Sequence, residues 1–313
     1  MGLQLYFREK EESLVLSFED FREEIMKDLE EICGPEFTIA ERNVVKNNGV
    51  TLCGVSITAP DEVVSPAIYL ESLYDEYENG RMNIQEVENE ILRIYASEKD
   101  CRNADMDYIS DFDRVKDKLI FRLVNAGLNE ELLKSTPHRR FLDLAVIYTI
   151  YIEDFLSTPG TITVKQDLME EWGVDENTLY EHALINSPRI KQPVMQEISD
   201  VIRDMMGNEE IDEDLIDTGL VKMYVLTNSD KFYGDTPILY PGFLENLRVA
   251  TGSDLFLLPS SVHEFIVIPD TGNIDPKELK ELVMSVNRSA VPEEEFLSDN
   301  VYVYRNEEIS ICA

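Results

Sequence analysis

The residues best suited to chemistry lie close together in the C-terminal part of the chain: Ser260, Ser261, His263 and Glu264. Serine, histidine and carboxylate are the residue types of nucleophilic catalysis, in which a base must reach the hydroxyl and be oriented by a third group. Neighbouring side chains of an extended strand point to opposite faces, so Glu264 is poorly placed to orient His263. No G-x-S-x-G turn precedes the segment, and Val267 stands where an H-E-x-x-H zinc motif has its second histidine.

Two interpretations of this segment stay open. In the first, Ser260 or Ser261 acts with His263 in a hydrolase or transferase. In the second, the segment is a hairpin whose serines satisfy turn amides, while His263 pairs with a neighbour or contacts a ligand. Pro259 has no backbone donor, so we expect the preceding strand to lose its ladder there and the chain to turn.

Two other places carry weaker candidates for ligand binding. Lys46, Asn47 and Asn48 could offer a positive, amide-rich tip to an anion, although a tight turn needs asparagines in any case. Asn228 ends a predicted strand, where ligands often bind, but asparagine at that position is also a routine turn or cap residue.

A small basic island interrupts the acidic chain at His138, Arg139 and Arg140. Its guanidinium groups could hold a carboxylate or a phosphate. Compensation of nearby acidic charge is the plainer explanation.

The cysteines give no sign of a metal or redox site. They lie far apart, without a C-x-x-C pair or a histidine at zinc-finger spacing, and are Cys33, Cys53, Cys101 and Cys312. We therefore expect free thiols, no metal site and no cofactor.

The formal net charge of -35 is the most extreme global property of the chain. Phosphate would be repelled, so we expect no direct binding of nucleic acid through a basic face. An acidic decoy that occupies the basic groove of a DNA-binding protein is one explanation, and a solubilising surface is the other. The acidic residues fall mostly on the polar faces of predicted helices, which favours the second.

No secretory signal opens the sequence, and the longest apolar run, residues 141–152, is far shorter than the ~20 residues that span a bilayer. We expect a cytoplasmic protein without a membrane partner. A protein partner is possible.

Periodicity predicts the elements that hold these candidates. A helix over residues 18–33 follows from apolar residues at helical spacing, with Ser17 as its cap and Gly34 as its stop. Residues 37–45 and 50–58 are typical of two strands joined by an Asn-Gly turn. Two further apolar runs, 119–124 and 141–152, predict paired strands.

The C-terminal part predicts strands and helices in the order β-α-β-β-α-β. This is the split βαβ pattern, in which two helices cover one face of a four-stranded antiparallel sheet. The predicted segments are 220–227, 242–250, 255–258, 265–268, 276–286 and 301–304.

Together these elements predict an α+β protein with two sheet-containing lobes. We expect an N-terminal α+β lobe over residues 1–158, a helical connection over 159–219, and a split-βαβ-like lobe over 220–313. Residues 164–206 are helical by period, and 208–217 are typical of an exposed acidic linker.

Several segments resemble an uncharacterised bacterial family of unknown function found largely in gut anaerobes. The resemblance rests mainly on 223–228, 238–241, 259–264, 286–287, 301–304, 46–49, 65–66 and 68–70. A more distant similarity, at residues 172–179, is to another unannotated bacterial family. Neither resemblance implies an activity, a cofactor or a site residue.

Three hypotheses of function follow. The first is a non-enzymatic cytosolic binding or regulatory protein, because catalytic and cofactor signatures are missing. The second is a hydrolase or transferase that uses the serines with His263, and the third is the acidic decoy.

Overall fold

The computed structural model describes residues 15–60, 67–97, 107–152, 160–206 and 222–312. The chain forms two compact units. One contains residues 1–45 and 51–104, and the other contains residues 46–50 and 105–313.

The first unit holds a three-stranded antiparallel sheet in the order β1-β2-β3. Its elements are α1 (Phe18–Cys33), β1 (Thr38–Val45), β2 (Thr51–Thr58), β3 (Ile68–Tyr69), α2 (Glu71–Glu78) and α3 (Ile84–Ser97). The predicted helix over 18–33 and the predicted hairpin are confirmed.

Helix α1 shows why its bounds could be read from the sequence. Ser17 Oγ accepts a hydrogen bond from the Asp20 amide, and Gly34 ends the helix with a φ of 86° that favours glycine. Phe21, Ile25 and Leu29 lie on one face of the helix and are buried.

The second unit contains a four-stranded antiparallel sheet in which β6 pairs with β4, β5 and β7. Its elements, in chain order, are α4 (Phe112–Val115), β4 (Leu119–Asn125), α5 (Glu130–Lys134), β5 (His138–Phe141), β6 (Leu144–Ile152), β7 (Gly160–Thr163), α6 (Gln166–Glu171) and α7 (Glu176–Ile190). The predicted pairing of residues 119–124 with 141–152 is confirmed, and Leu142 and Asp143 form the tight turn between β5 and β6.

The second unit also holds a six-stranded antiparallel sheet in the order β13-β12-β10-β11-β9-β8. Its elements, in chain order, are β8 (Pro193–Glu197), α8 (Ile198–Met206), β9 (Tyr224–Asn228), α9 (Phe243–Thr251), β10 (Leu255–Ser261), β11 (Glu264–Pro269), α10 (Pro276–Ala290), β12 (Tyr302–Arg305) and β13 (Glu308–Ile311). The α+β class is confirmed. The chain order from β9 to β12 is β-α-β-β-α-β, but the sheet has six strands instead of the predicted four, because β8 and β13 extend its two edges.

The C-terminal sheet differs from the predicted arrangement in its helix faces. Leu257 of β10 shares a core with Leu247 of α9, whereas Leu258 shares a core with Leu279 of α10. Because successive strand residues point to opposite sides, the two helices cover opposite faces rather than one. The prediction of helices on one face is therefore wrong.

The stretch predicted as helical over 164–206 also contains a strand. β8 pairs with β9 from Pro193↔Asn228 to Glu197↔Tyr224 and forms one edge of the six-stranded sheet. Proline is tolerated at the first position of an edge strand, so Pro193 is compatible with this pairing.

The predicted lobe boundaries near residues 158 and 219 lie outside the described residues, as does the predicted acidic linker at 208–217. These boundaries stay predictions. Within the ranges that the structure covers, no helix is long and apolar enough to cross a membrane.

Candidate functional site

The segment with the serines and His263 forms the β10–β11 hairpin. The pairing continues past Pro259↔Phe265 to Ser261↔Glu264, with a register shift between Pro259 and Ser261. The strand thus bulges after the proline and turns at Val262 and His263. We expected the ladder to end at Pro259, and the bulge is how the sheet accommodates a residue without an amide donor.

The two serines are engaged within the hairpin. The His263 amide donates to Ser261 Oγ at 3.0 Å, which is the turn role expected for a serine here. Ser260 Oγ donates to Glu264 Oε1 at 3.2 Å.

The His263 ring contacts groups outside its own hairpin. Nδ1 accepts a hydrogen bond from the Tyr233 amide at 3.2 Å, and Nε2 lies 3.5 Å from Glu295 Oε1. A ring nitrogen that accepts an amide hydrogen carries no proton, so the neutral ring has its proton on Nε2. Within the described residues, neither ring nitrogen bonds the hydroxyl of Ser260 or Ser261. A catalytic role for the serines and His263 stays a prediction.

Asn228 organises the loop that follows β9. Its Nδ2 donates to the carbonyls of Phe232 and Tyr233 at 3.0 Å each, and its Oδ1 accepts from the Asp230 amide at 3.0 Å. The side chain is 1% exposed. The asparagine amide is therefore used within the loop, and a ligand-binding role for it stays a prediction.

This loop, residues 228–236, is held from several sides and is called the 228–236 loop below. Lys191 is buried and pairs with Asp230, with 2.6 Å between Nζ and Oδ2. Lys231 and Tyr233 take φ values of 54° and 49°, which are uncommon for residues other than glycine. Gly234 approaches the β10–β11 turn so closely that a side chain has no room.

Asp235, in the same loop, is 0% exposed, and both of its carboxylate oxygens lack a hydrogen-bond partner among the described residues. Burial raises the pKa of Asp235 well above its ordinary value, and the charge of Arg122 opposes that rise. The Arg122 guanidinium lies 3.9 Å from the centre of the Tyr233 ring. The loop therefore encloses a carboxyl group that favours its protonated form.

The Lys46–Asn48 turn belongs to the second unit. Asn47 Nδ2 donates to the Glu294 carbonyl at 2.9 Å, and Asn48 Nδ2 donates to the carbonyls of Glu293 and Phe296 at 2.8 and 2.7 Å. The two asparagines thus bind backbone carbonyls of the protein itself. An anion-binding role for this turn stays a prediction.

Residues 293–296 connect the two groups of predicted candidates. They accept the asparagine amides of the Lys46–Asn48 turn, and the Glu295 carbonyl accepts the Val262 amide at 2.9 Å. The Glu295 carboxylate faces His263. Sequence reasoning did not find Glu295, because the contact joins segments 32 positions apart (263 to 295) that no local pattern links.

A cleft lies elsewhere in the second unit and has a volume of about 360 Å³. Strand β5, helix α7, the start of α9 and the β12–β13 hairpin all contribute to it. Its lining residues are Arg139, Arg140, Phe141, Val146, Tyr180, Ile238, Leu239, Tyr240, Gly242, Leu244, Glu245, Tyr304, Glu307 and Ile309. Arg139 and Arg140 of the predicted basic island thus line this cleft, and His263 does not.

The two arginines of this cleft differ in how they are held. Arg139 donates to Glu176 at 2.8 Å and to Asn177 at 2.9 Å, and its guanidinium lies 3.8 Å from the centre of the Tyr180 ring. The hydrogen bond to Glu176 raises the pKa of Arg139. Arg140 is exposed and has no acceptor or ion-pair partner in the described part of the chain. One guanidinium is therefore fixed, and the other is available.

Two carboxylates, those of Glu245 and Glu307, belong to residues that also line the cleft. Glu245 is paired with Arg248 at 2.8 Å and accepts from the Tyr304 hydroxyl at 3.2 Å, and these contacts lower the pKa of Glu245. Glu307 has no such partner within the described residues. Burial is the main cause that raises the pKa of Tyr304, and the negative charges of Glu245 and Glu307 add to it.

The arrangement provides charge recognition beside an apolar surface. Phe141, Leu239, Leu244 and Ile309 add apolar surface to the lining of the cleft. The described residues contain no group of three or more histidine, cysteine, aspartate or glutamate side chains that could hold a metal ion. The guanidinium and carboxylate groups of these residues are suited to binding a charged ligand through charge-assisted hydrogen bonds.

A family model described as a family of unknown function (DUF5688) matches residues 18–306, and the chain belongs to this family. The match confirms the predicted resemblance to a family of unknown function. The comparison with curated proteins and the comparison with solved structures found no match.

Proposed function

We propose that this family member is a ligand-binding protein whose cleft binds a small organic carboxylate. The observation that carries the proposal is Arg140, which lines the cleft next to Arg139, is exposed and has no acceptor in the described residues. In a chain with a formal net charge of -35, most arginines would be expected to meet an acidic partner. An arginine that meets none at a cleft wall is suited to an anionic ligand.

The arginines match a carboxylate by geometry as well as by charge. A guanidinium presents its donors in a planar fork that can hold a carboxylate through two hydrogen bonds. The charge of Arg139 is already paired with Glu176, and Asn177 and the Tyr180 ring fix its position, so Arg139 adds donors held in place rather than a free charge. Less side-chain entropy is lost on binding when a donor is held in advance.

The apolar surface of the cleft indicates the rest of the ligand. A volume of about 360 Å³ is at the small end of the range for small-molecule sites. Burial of hydrocarbon against Phe141, Leu239 and Ile309 would add to the affinity. The ligand we propose has one carboxylate and an apolar body.

We place this function in the cytoplasm. Cys33, Cys53 and Cys312 are free thiols in the structure, which is typical of a reducing compartment. This location accords with the hypothesis of a cytosolic binding or regulatory protein.

The test uses 3-phenylpropionate and the neutral 3-phenylpropionamide as matched probes, with binding measured by calorimetry. We expect the acid to bind and the amide to bind at least about tenfold more weakly, because a charge-assisted hydrogen bond contributes roughly 1.5–3 kcal/mol. Arg140→Gln should weaken binding of the acid by a similar factor.

Arg288→Gln is the control for this variant. Arg288 is also exposed and without an acceptor in the described residues, but it lies on α10 and does not line the cleft. The two variants remove the same charge from different places. Equal binding of acid and amide, or equal effects of the two variants, would contradict the proposal.

A further inference from the structure

We infer that the ligand of the cleft also carries an ammonium group, recognised by Glu307, and is therefore an amino acid or a short peptide with an apolar side chain. This inference rests on the proposed function and narrows it. The backbone of the β12–β13 turn provides the first observation in its support.

That turn contains a residue that its geometry disfavours. Arg305 pairs with Glu308, so Asn306 and Glu307 form a two-residue hairpin turn, with φ values of 52° and 65°. Two positive φ values are the mark of a type I′ turn, in which glycine is strongly preferred at the second position. A glutamate there is strained by contact of its Cβ with the backbone.

The residue with this strained backbone brings a carboxylate to the cleft. Glu307 lines it, and its charge acts on the hydroxyl of Tyr304 across the hairpin. Residues held in an unfavourable backbone conformation often serve function, because the fold alone gains nothing from them. A glycine would satisfy the turn, whereas only an acidic side chain brings a negative charge to the cleft.

Glu307 is also the carboxylate that remains available. Glu245 is neutralised by Arg248 and bonded by Tyr304. Glu307 forms no ion pair within 4.0 Å in the described residues, not even with Arg139 or Arg140 of the same cleft.

Opposite charges that share a cleft without meeting can be joined by a ligand with both charges. An amino acid or a peptide has a carboxylate for the arginines and an ammonium for Glu307. Its apolar side chain would lie against Phe141, Leu239 and Ile309. A cleft of about 360 Å³ admits one large amino acid or a dipeptide, but not an extended protein segment.

The experiment compares ligands with and without the ammonium group, with dissociation constants measured by calorimetry. L-phenylalanine is compared with 3-phenylpropionate, and L-leucyl-L-leucine with its N-acetyl derivative. For the native chain, we expect the zwitterion of at least one pair to bind about tenfold more tightly or better. The pair with the larger preference tells a free amino acid from a peptide.

Variants of the turn then locate the preference. Glu307→Gln should remove the preference for the ammonium by weakening the binding of the zwitterion, while 3-phenylpropionate binds at least as tightly as before, because a like charge has left the cleft. Glu308→Gln is the matched control, because Glu308 is an exposed glutamate of the same hairpin that does not line the cleft.

Glu307→Gly gives a second, independent readout. It should remove the same preference and at the same time raise the melting temperature, because glycine relieves the positive φ. A purely structural role for Glu307 predicts no effect of either variant on the ammonium preference.

The outcomes separate the two proposals. If 3-phenylpropionate binds in an Arg140-dependent way but neither zwitterion binds more tightly, the ammonium inference is wrong and the carboxylate site remains. An ammonium preference that survives Glu307→Gln also overturns the inference. If no acid binds, both proposals fail.

Discussion

Replacement of Gly234 by alanine should destabilise the second unit by more than the addition of one methyl group usually does. A Cβ at Gly234 would lie far inside van der Waals contact with Thr227 Oγ1 and the His263 carbonyl, and 3.0 Å from the Asn228 nitrogen. Thr227 Oγ1 donates to that same carbonyl at 2.8 Å, so the methyl group would enter the space beside an existing hydrogen bond.

The magnitude follows from two losses. Forcing a methyl group into a packed region costs about 1–3 kcal/mol. Separating Thr227 from His263 costs about 1 kcal/mol more, because a net hydrogen bond is worth that much. We therefore expect Gly234→Ala to lower the free energy of unfolding by about 2–4 kcal/mol.

The single tryptophan of the chain makes the assay specific to the second unit. Trp172 is half-buried and donates from Nε1 to the Ile109 carbonyl at 2.9 Å, so its fluorescence reports on unfolding of this unit. In urea, a typical slope of 1–3 kcal/mol per molar turns the predicted loss into a midpoint lower by about 1 M or more.

Gly127→Ala is the control, because its Cβ would meet only Asn125 Oδ1, at an ordinary 3.5 Å. That variant should be neutral or stabilised by up to about 1 kcal/mol through a less flexible unfolded chain. If Gly234→Ala and Gly127→Ala unfold at the same urea concentration, the close approach at Gly234 is wrong.

Two further predictions concern buried ionisable side chains at the 228–236 loop. Both are tested by urea unfolding with the fluorescence of Trp172 as the readout. The pKa of Asp235 is raised in the folded state, so its burial costs stability once pH exceeds the ordinary value of 3.8. Asp235→Asn should therefore stabilise the protein at pH 7 and by less at pH 5, and a gain that does not shrink would contradict this sign. Lys191→Met leaves Asp230 unpaired and should cost about 3 kcal/mol. Adding Asp230→Asn should recover much of that loss, and a double variant no more stable than Lys191→Met would contradict the pairing.

The parts of the fold that were predicted correctly depend on signals from neighbouring residues. Helix α1 combines an apolar period with a serine cap and a glycine stop, so both of its ends were found. The β1–β2 hairpin and the order of elements from β9 to β12 were found in the same way, from period and turn residues.

The sequence of β10 contains a signal against the wrong prediction that both helices cover one face. Residues 255–258 of β10 are apolar without alternation, and such a run is typical of a strand buried on both faces. Strand β8 was missed because it is short and begins with proline, which weakens any strand pattern.

The sites were harder to predict because their contacts join distant segments. The sequence marked His263 and the Arg139–Arg140 pair, but not Glu295 or Glu307, which approach them only in the folded chain. An Asn-Glu pair where a hairpin favours Asn-Gly is a local signal, yet it has meaning only once the turn is known.

The residues of the second unit with positive φ values differ in how their backbone strain is compensated. Lys231 and Tyr233 have positive φ values in the 228–236 loop, where the buried Asn228 bonds the carbonyls of the loop and Lys191 pairs with Asp230. Packing and hydrogen bonds therefore compensate for their strain. Glu307 also has a positive φ. Its carboxylate has no hydrogen-bond or ion-pair partner in the described residues, and the residue lines the cleft. A ligand with a positive charge would give this carboxylate a partner, which is a physical reason for a glutamate rather than a glycine at that position.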